Sequence, residues 1–591
     1  MKMLFFLLFA VITCHLQSQQ TFVREKRDYI WQFGWSSSLE SPHIGGTKIS
    51  FLTDGEILVE PAHREMSLDY TNAGICDTEG NLLLYTNGIY VVNSEGDTVE
   101  NGYGLNPDPL TDAWSYSGYY LPQGAVILPA PGGGDSLFYI FHTMMSVCPD
   151  VPNSGGYATK SFFYTIVDSG YNDGQGKVIE KNVPIIQDTI AGGAVTATRH
   201  ANGRDWWLII SEFFTNRYYR LLLTPDGVQQ LPIQTIGEPT VSGLDKAVFS
   251  PDGRLFARLS GWRFDRDSYL DIFDFDRCSG ELSNFRRKPY YNLGASNGLA
   301  FSENSRFLYI SAGIHVYQTD LTAESLEASW DTIAIGDGFL SPTTNYHVVF
   351  DMSQLAPNGK IYITPPASVE YLGYINHPNL PGKASQVVQH GIQLPTLIYY
   401  GIPNHPYYGL GPEDGSACDT LGIDNPPPVA GFEYLTDSLL HAAFYHDARF
   451  SPVDWYWTFG DGATSTAVFP KHTYAAPGEY EVCLTVSNLS GSDTYCDTIS
   501  LMITGTAGPE ENPGVRLYPN PARESIVIEI EGRAAFRGTI VLCDALGRRV
   551  LQQAIHSSRQ SILISALPPG LYFYELREER RRVAGGKLVR L

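Results

Sequence analysis

The chain has 591 residues, 43% of them hydrophobic and 17% charged, which is enough apolar material for several cores and excludes a disordered polypeptide. Its net charge of −23 repels phosphate backbones and argues against nucleic acid as a partner. With 57 Gly, 37 Pro and 36 Tyr and few long helical patterns, the composition suits short strands joined by tight turns, so the expected class is all-β. The charge is uneven: residues 513–591 hold 13 Lys or Arg against 7 Asp or Glu, while residues 1–512 hold 27 against 56.

Residues 1–18 read as a secretory signal, with Lys2 as the positive start, Leu4 to Ile12 as the apolar run and Ser18 as the small residue at the cleavage point. Thr13 is a poor residue ahead of a lipidated cysteine, so anchoring through Cys14 is not expected. No later stretch is apolar enough to cross a bilayer as a helix. Of eight cysteines, Cys14 leaves with the signal, and the other seven form no C-x-x-C pair of the kind a zinc site needs. Export permits disulfides; the pairing of Cys76, Cys148, Cys278, Cys418 and Cys543 is left open.

From residue 28 to 412 one pattern recurs, a turn followed at once by an alternating strand: "DTEGNLLLY", "PGGGDSLFYIF", "HANGRDWWLII", "SPDGRLFAR", "SENSRFLYI" and "APNGKIYIT". The turn positions are Gly80, Gly134, Gly203, Gly253, Ser305 and Gly359, spaced by 54, 69, 50, 52 and 54 residues. A period near fifty with about four short strands is that of propeller blades, whose sheets bury their faces only against neighbours. Seven blades are expected, with six or eight as alternatives. The last would combine "DYIWQFGW" and "KISFLTDGEILV" with "LPTLIYYGIPN" (394–404), joining both ends of the region and removing exposed edges. The quoted runs, with "GAVILPAPGGGDSLFYIFHT" and "LAPNGKIYI", resemble the WD40-like propeller of large secreted proteins from Bacteroidota, a resemblance that implies architecture and no reaction.

Residues 413–427, with Pro426 and Pro427, read as a stiff linker. In 428–505, "WYWTFGDG" and "HTYAAPGEYEVCLTVSN" resemble the PKD domain, a small immunoglobulin-like sandwich used as spacer or adhesive surface. Trp457 and Phe459 point inward, as do Tyr480, Val482, Leu484 and Val486, and Cys483 and Cys496 flank a hairpin that could bring them within disulfide range.

After a second linker, 506–513, residues 514–591 carry Tyr518-Pro519-Asn520-Pro521, then Asp544 and Gly547 in "VLCDALGRRV", Gly570 and Tyr572 in "LPPGLYFYEL", and Lys587 near the end. In order and spacing these resemble the type A C-terminal sorting domain of the type IX secretion system. The resemblance implies the type IX machinery as partner, a secreted or cell-surface location, and lipopolysaccharide attachment after the domain is removed.

Chemistry is sparse. His142 and His200 flank strands and read first as structural; Asp274 and Asp276, two apart, lack the remaining oxygens of a calcium loop. No G-x-S-x-G elbow, H-E-x-x-H helix or phosphate loop is expected to act here, and no catalytic, cofactor or metal residue is expected. The aromatic loops 115–120, 288–292 and 404–409 offer flat faces to a glycan or protein ligand at one propeller mouth. The alternative is a hydrolase or lyase acting on polysaccharide or protein, which requires two carboxylates, or a histidine with a carboxylate, converging in the propeller funnel.

Overall fold

A computed structural model describes residues 20–37, 41–151, 156–239, 244–260, 268–290, 297–437, 439–501, 515–530, 536–544, 549–578 and 581–591. The signal segment 1–18 with Ser18, the linker 506–513 and Gly547 lie outside the described residues. The chain separates into two compact units, one holding 1–436, 442–474 and 479–499, the other 437–441, 475–478 and 500–591.

The first unit is built of antiparallel sheets that follow one another along the chain. Three strands, Ile30–Gly34, Gly46–Phe51 and Ile57–Ala62, form the first. Two four-stranded runs, from Ala73 to Tyr103 and from Ala125 to Ile186, join edge to edge in an eight-stranded sheet through parallel pairing of Lys177 with Glu100. Further sheets start at Ala197, Leu244, Gly298 and Ser353, the last ending in the long strand Val387–Ile398. First strands of successive sheets lie side by side, and apolar side chains fill the space between neighbouring sheets, as where Val126, Leu128 and Phe141 meet Trp206, Leu208 and Leu221.

The turn repeat explains the regularity. Gly80, Gly134, Gly203, Gly253, Ser305 and Gly359 all have positive φ, between 59° and 96°, and each sits in the turn between the first and second strands of its sheet. A left-handed residue there re-aims the chain into the returning strand. In the turn with Gly253, the Ser250 hydroxyl accepts from the Leu255 amide at 2.9 Å and the Asp252 carboxylate from the Arg254 amide at 3.1 Å. Ser302 and Asn304 repeat both bonds toward Phe307 and Arg306, so a side chain with φ of 59° is tolerated at Ser305.

One expectation is corrected. "LPTLIYYGIPN" does not add a strand to the sheet of residues 30–62. Its first part ends the strand Val387–Ile398 of the preceding sheet, and from Tyr399 the chain leaves sheet pairing, because Pro403 and Pro406 have no amide to donate. This irregular segment runs among the first strands. The Gly401 amide donates to the Asp69 carbonyl, the Asn404 amide to Asn72, and the Asn404 side-chain nitrogen to both Ala125 and Val195, at 2.8 and 2.7 Å. The Tyr408 hydroxyl reaches the Ile127 carbonyl, and the Gly411 carbonyl accepts from Arg277.

Residues 413–427 are likewise tied down. Cys418 is bonded to Cys278, and Ile423–Asp424 pairs in parallel with Gln20–Thr21. Beyond them two sheets, Phe432–Thr436 with His441–His446 and Lys471–Thr473, and Asp454–Thr458 with Thr464–Ser465, Gly478–Asn488 and Gly491–Leu501, face each other across Phe432, Phe444, Trp457 and Phe459. This sandwich is fused to the preceding sheets. Tyr445 joins the core of Phe307, Tyr309 and Ile361, and Arg306 pairs with Asp320 while lying over the rings of Tyr445 and Phe469.

The second unit contains two further sheets, Val515–Tyr518, Ser525–Ile530 and Arg559–Leu563 against Gly538–Cys543, Arg549–Ile555, Gly570–Glu578 and Arg581–Arg590. Ile526, Ile528 and Ile562 of one meet Ile540, Leu542 and Leu576 of the other.

A buried ionic cluster sits inside the sheet that starts at Leu244. Both oxygens of Asp271, which is fully buried, are held by guanidinium groups: Arg258 at 2.8 and 3.1 Å and Arg287 at 2.6 and 2.9 Å. Removing the carboxylate takes from the fully buried Arg258 its hydrogen-bonded counter-ion, so Asp271→Ala should cost about 3–5 kcal/mol; urea unfolding of the variant checks it.

Candidate functional site

The first strands enclose a small chamber beside the irregular segment. Arg24, Asp28, Thr196, Thr198, Gln354 and His405 contribute to its walls, and the space open to water is about 30 Å3, room for about two molecules. Asp28 Oδ1, Arg24 Nε and both ring nitrogens of His405 have no protein partner. Burial raises the Asp28 carboxyl to about 6, against the opposing pull of Arg24, and lowers His405 to about 3. A neutral imidazole and a carboxylate thus share one cavity, but the cavity has no room for a sugar ring or a peptide.

A second constellation lies at the other end of the first strands, where the loops before Ala73 and Ala125 and the start of the irregular segment meet. Its rings form a continuous tier. Trp114 and Tyr120 have centroids 5.2 Å apart, Tyr120 and Tyr70 4.1 Å, and Tyr70 stacks on Tyr400 at 5.1 Å with 15° between planes. Tyr399 stands edge-on to both Tyr70 and Tyr400 and is 6.0 Å from Trp35. Burial, with the neighbouring phenols, raises the pKa of both Tyr70 and Tyr400. Tyr120 is 37% exposed and Tyr116 65%.

Two charged side chains of the first unit are also buried. Lys246, on the strand Leu244–Phe249, and Asp351, ahead of the strand Ser353–Leu355, are 8% and 1% exposed. Burial lowers the Lys246 pKa and the Asp351 carboxylate opposes that shift. The same carboxylate opposes ionisation of the Tyr400 hydroxyl. Gln123, whose side chain exchanges two hydrogen bonds with the Ala247 backbone, pins the Lys246 strand to the loop before Ala125.

The residues singled out from sequence fall elsewhere. His142 is fully buried between Asn106 Oδ1 at 2.7 Å and Thr165 Oγ1 at 2.9 Å, and burial lowers its pKa to about 3. His200 accepts from the Asn202 amide within its turn. Asp274 pairs with Arg286, whereas Asp276 accepts the amides of Cys278 and Ser279, so the two carboxylates serve different partners. Of the aromatic loops, 115–120 supplies Tyr120 to the tier; Tyr290 is buried, and 404–409 belongs to the internal segment, with Tyr408 at 0% exposure. Sequence reading missed Lys246, Asp351, Tyr70 and the Tyr399–Tyr400 pair, because no local spacing links them. The expectation of no G-x-S-x-G elbow needs one correction at the level of sequence, since Gly294-Ala-Ser-Asn-Gly298 spells that motif. Gly294, Ala295 and Ser296 lie outside the described residues, and Gly298 opens the strand Gly298–Phe301, whereas the motif's closing glycine belongs to a strand-to-helix turn in the hydrolases that use it.

Cys483 and Cys496 are bonded, with Cα atoms 4.1 Å apart. In the C-terminal module Pro519 and Pro521 occupy the turn after Val515–Tyr518, and the Tyr518 hydroxyl donates to Glu529. The Asn520 side chain clamps the last strand, donating to the Lys587 carbonyl at 2.7 Å and accepting from the Val589 amide at 2.8 Å. Asp544 follows Gly538–Cys543, Gly570 opens its strand, and the Tyr572 hydroxyl bonds the Pro568 carbonyl.

Residues 516–589 match the secretion system C-terminal sorting domain. The protein is secreted or displayed at the cell surface. Residues 431–503 match the PKD domain. The pre-pro-metalloprotease PrtV of Vibrio cholerae serotype O1 is 37% identical over 127 residues, 21% of this chain and 13% of that protein's length. Among solved structures, the PKD1 domain of PrtV is 36% identical and covers 12% of this chain and 95% of its own, with a TM-score of 0.12. The β-propeller domain of Vanderwaltozyma polyspora Nup133 is 10% identical, covers 55% and 92%, and has a TM-score of 0.25. No helix among the described residues is long and apolar enough to cross a membrane.

Two measurements check these placements. The folded pKa of His142 lies below its unfolded value of 6.5, so its contribution is complete above pH 6.5 and is lost as pH falls toward 3. His142→Gln should therefore flatten the acid limb of stability against pH, read from urea midpoints between pH 7 and 4. Asn520→Ala removes two bonds to the last strand, about 1–2 kcal/mol, and should speed hydrogen exchange at the Val589 amide by about tenfold.

Proposed function

We propose that this is an exported, non-catalytic recognition protein, processed from a precursor whose residues 1–18 are a signal peptide, and made by a member of the Bacteroidota. In this reading residues 28–412 form a seven-bladed β-propeller that presents a ligand site. Residues 413–427 connect it to the spacer and adhesion module 428–505, and 506–513 lead to the sorting module 514–591. The sorting module directs passage through the type IX machinery and is removed outside, where the protein is attached to lipopolysaccharide.

The observation that carries the non-catalytic reading is the segment Tyr399–Gly411 among the first strands. It occupies the place of a funnel active site and leaves a chamber for about two waters, whereas the aromatic tier at the other end is half exposed. A second reading, a secreted hydrolase or lyase, draws on Asp28 and His405 sharing that chamber and on the similarity to a metalloprotease.

Two experiments separate the readings. Deleting residues 514–591 should hold the protein inside the producing cell, as fractionation would detect; export without the module rejects the sorting role. The full exported chain, probed on glycan and peptide arrays and assayed for turnover of each hit, should bind and return its ligand intact. Cleavage of a bound polymer would establish the hydrolase reading instead.

A further inference from the structure

We infer that the chamber walled by Arg24, Asp28 and His405 is a binding site for two ordered water molecules, which join the segment ahead of the first sheet to the internal segment Tyr399–Gly411. Asp28 and His405 are 4% and 6% exposed. Asp28 Oδ1, Arg24 Nε and both ring nitrogens of His405 are buried with no hydrogen-bond partner among the described residues. Cavities that stay dry are apolar, whereas a space lined by several such polar atoms and large enough for water is hydrated. Other atoms of the same residues are already engaged: Arg24 Nη1 lies 3.7 Å from Glu303, its guanidinium sits over the Tyr407 ring at 5.4 Å, and the His405 carbonyl accepts from Gln354 at 3.1 Å.

The chemistry of the wall selects water. Burial places the Asp28 carboxyl at about 6 and His405 at about 3, so at neutral pH the carboxylate accepts only, the imidazole has one N–H and one lone pair, and Arg24 Nε donates only. The occupant must therefore donate and accept within one small space. A metal cation cannot accept from Arg24 and is repelled by its charge; a halide cannot donate to Asp28 and is repelled likewise. The space open to water, about 30 Å3, fits two water molecules. The pair completes a polar line through the first unit, from His405 through water to Asp28 and Arg24, then to Glu303, which Arg449 of the sandwich meets at 3.3 Å. This role is independent of what the exposed aromatic end binds.

The test is a crystal structure of the full exported chain that shows ordered solvent, with a second crystal soaked in bromide. Two solvent peaks should stand in the chamber, each about 2.7–3.2 Å from two or more of Asp28 Oδ1, Arg24 Nε and the His405 nitrogens, with no anomalous signal from bromide. Bromide at either peak makes the occupant an anion, and a peak about 2.3–2.6 Å from a carboxylate oxygen makes it a metal cation. Either result overturns the water pair, as does a chamber without density. In solution, oxygen-17 relaxation dispersion counts long-lived internal waters. Asp28→Leu, which removes the acceptor and fills space, should lower that count by about two relative to Asp28→Asn, which keeps the shape and an acceptor. Equal counts overturn the proposal. Circular dichroism verifies that each variant is folded, and the wild-type crystals decide the matter should Asp28→Leu not fold. Turnover of an array hit that is abolished in Asp28→Asn would put a substrate at the chamber and overturn its structural role.

Discussion

The hydrogen bonds of Asn404 organise the first unit. One side-chain nitrogen donates to the carbonyls of Ala125 and Val195, and the Asn404 amide donates to Asn72. These acceptors belong to chain leading into both runs of the eight-stranded sheet and into the sheet that starts at Ala197, so a single buried residue sets the spacing among them. An apolar residue at that position would leave buried carbonyls unbonded, at about 1–3 kcal/mol each. The same segment carries His405 into contact with Trp31, stacked at 25°, and continues to Gly411, where Arg277 holds it. What occupies the centre is therefore a strap of the chain itself.

That strap has consequences for both ends. At one, the stretch after Gly411 is held by the Cys278–Cys418 bond and by pairing with Gln20–Thr21, and the sandwich that follows is seated through Tyr445, Arg306 and Phe469. At the other, Tyr399 and Tyr400 emerge beside Tyr70 and Tyr120, so the segment that fills the interior also builds the aromatic tier. One element therefore fills the interior and supplies two rings of the tier.

Much of this was legible locally. A positive-φ turn needs Gly or a tolerant residue such as Ser305, and the fifty-residue recurrence of those turns marks the first hairpin of sheet after sheet. Trp457, Phe459 and the alternation of Val482, Leu484 and Val486 mark the sandwich face, all of them buried. Tyr518 to Pro521 and Lys587 mark the terminal module, although their connection through Asn520 is visible only in three dimensions. The site was far less legible. Of its residues only Tyr120 stood in a stretch that drew attention, while Lys246 and Asp351 are separated by more than a hundred positions and neither lies in a motif.

The sequence by itself determined the strand-and-turn alphabet, the two terminal modules and the export address, because each depends on side-chain alternation, turn geometry or a landmark set confined to tens of residues. Only the tertiary structure decided where Tyr399–Gly411 goes, that Cys278 meets Cys418, and that rings from positions 35, 70, 114, 120, 399 and 400 assemble into one tier. Those outcomes depend on which sheets become neighbours. Neighbourhood follows from burying both faces of every sheet at once, a condition on the whole chain that no local pattern records.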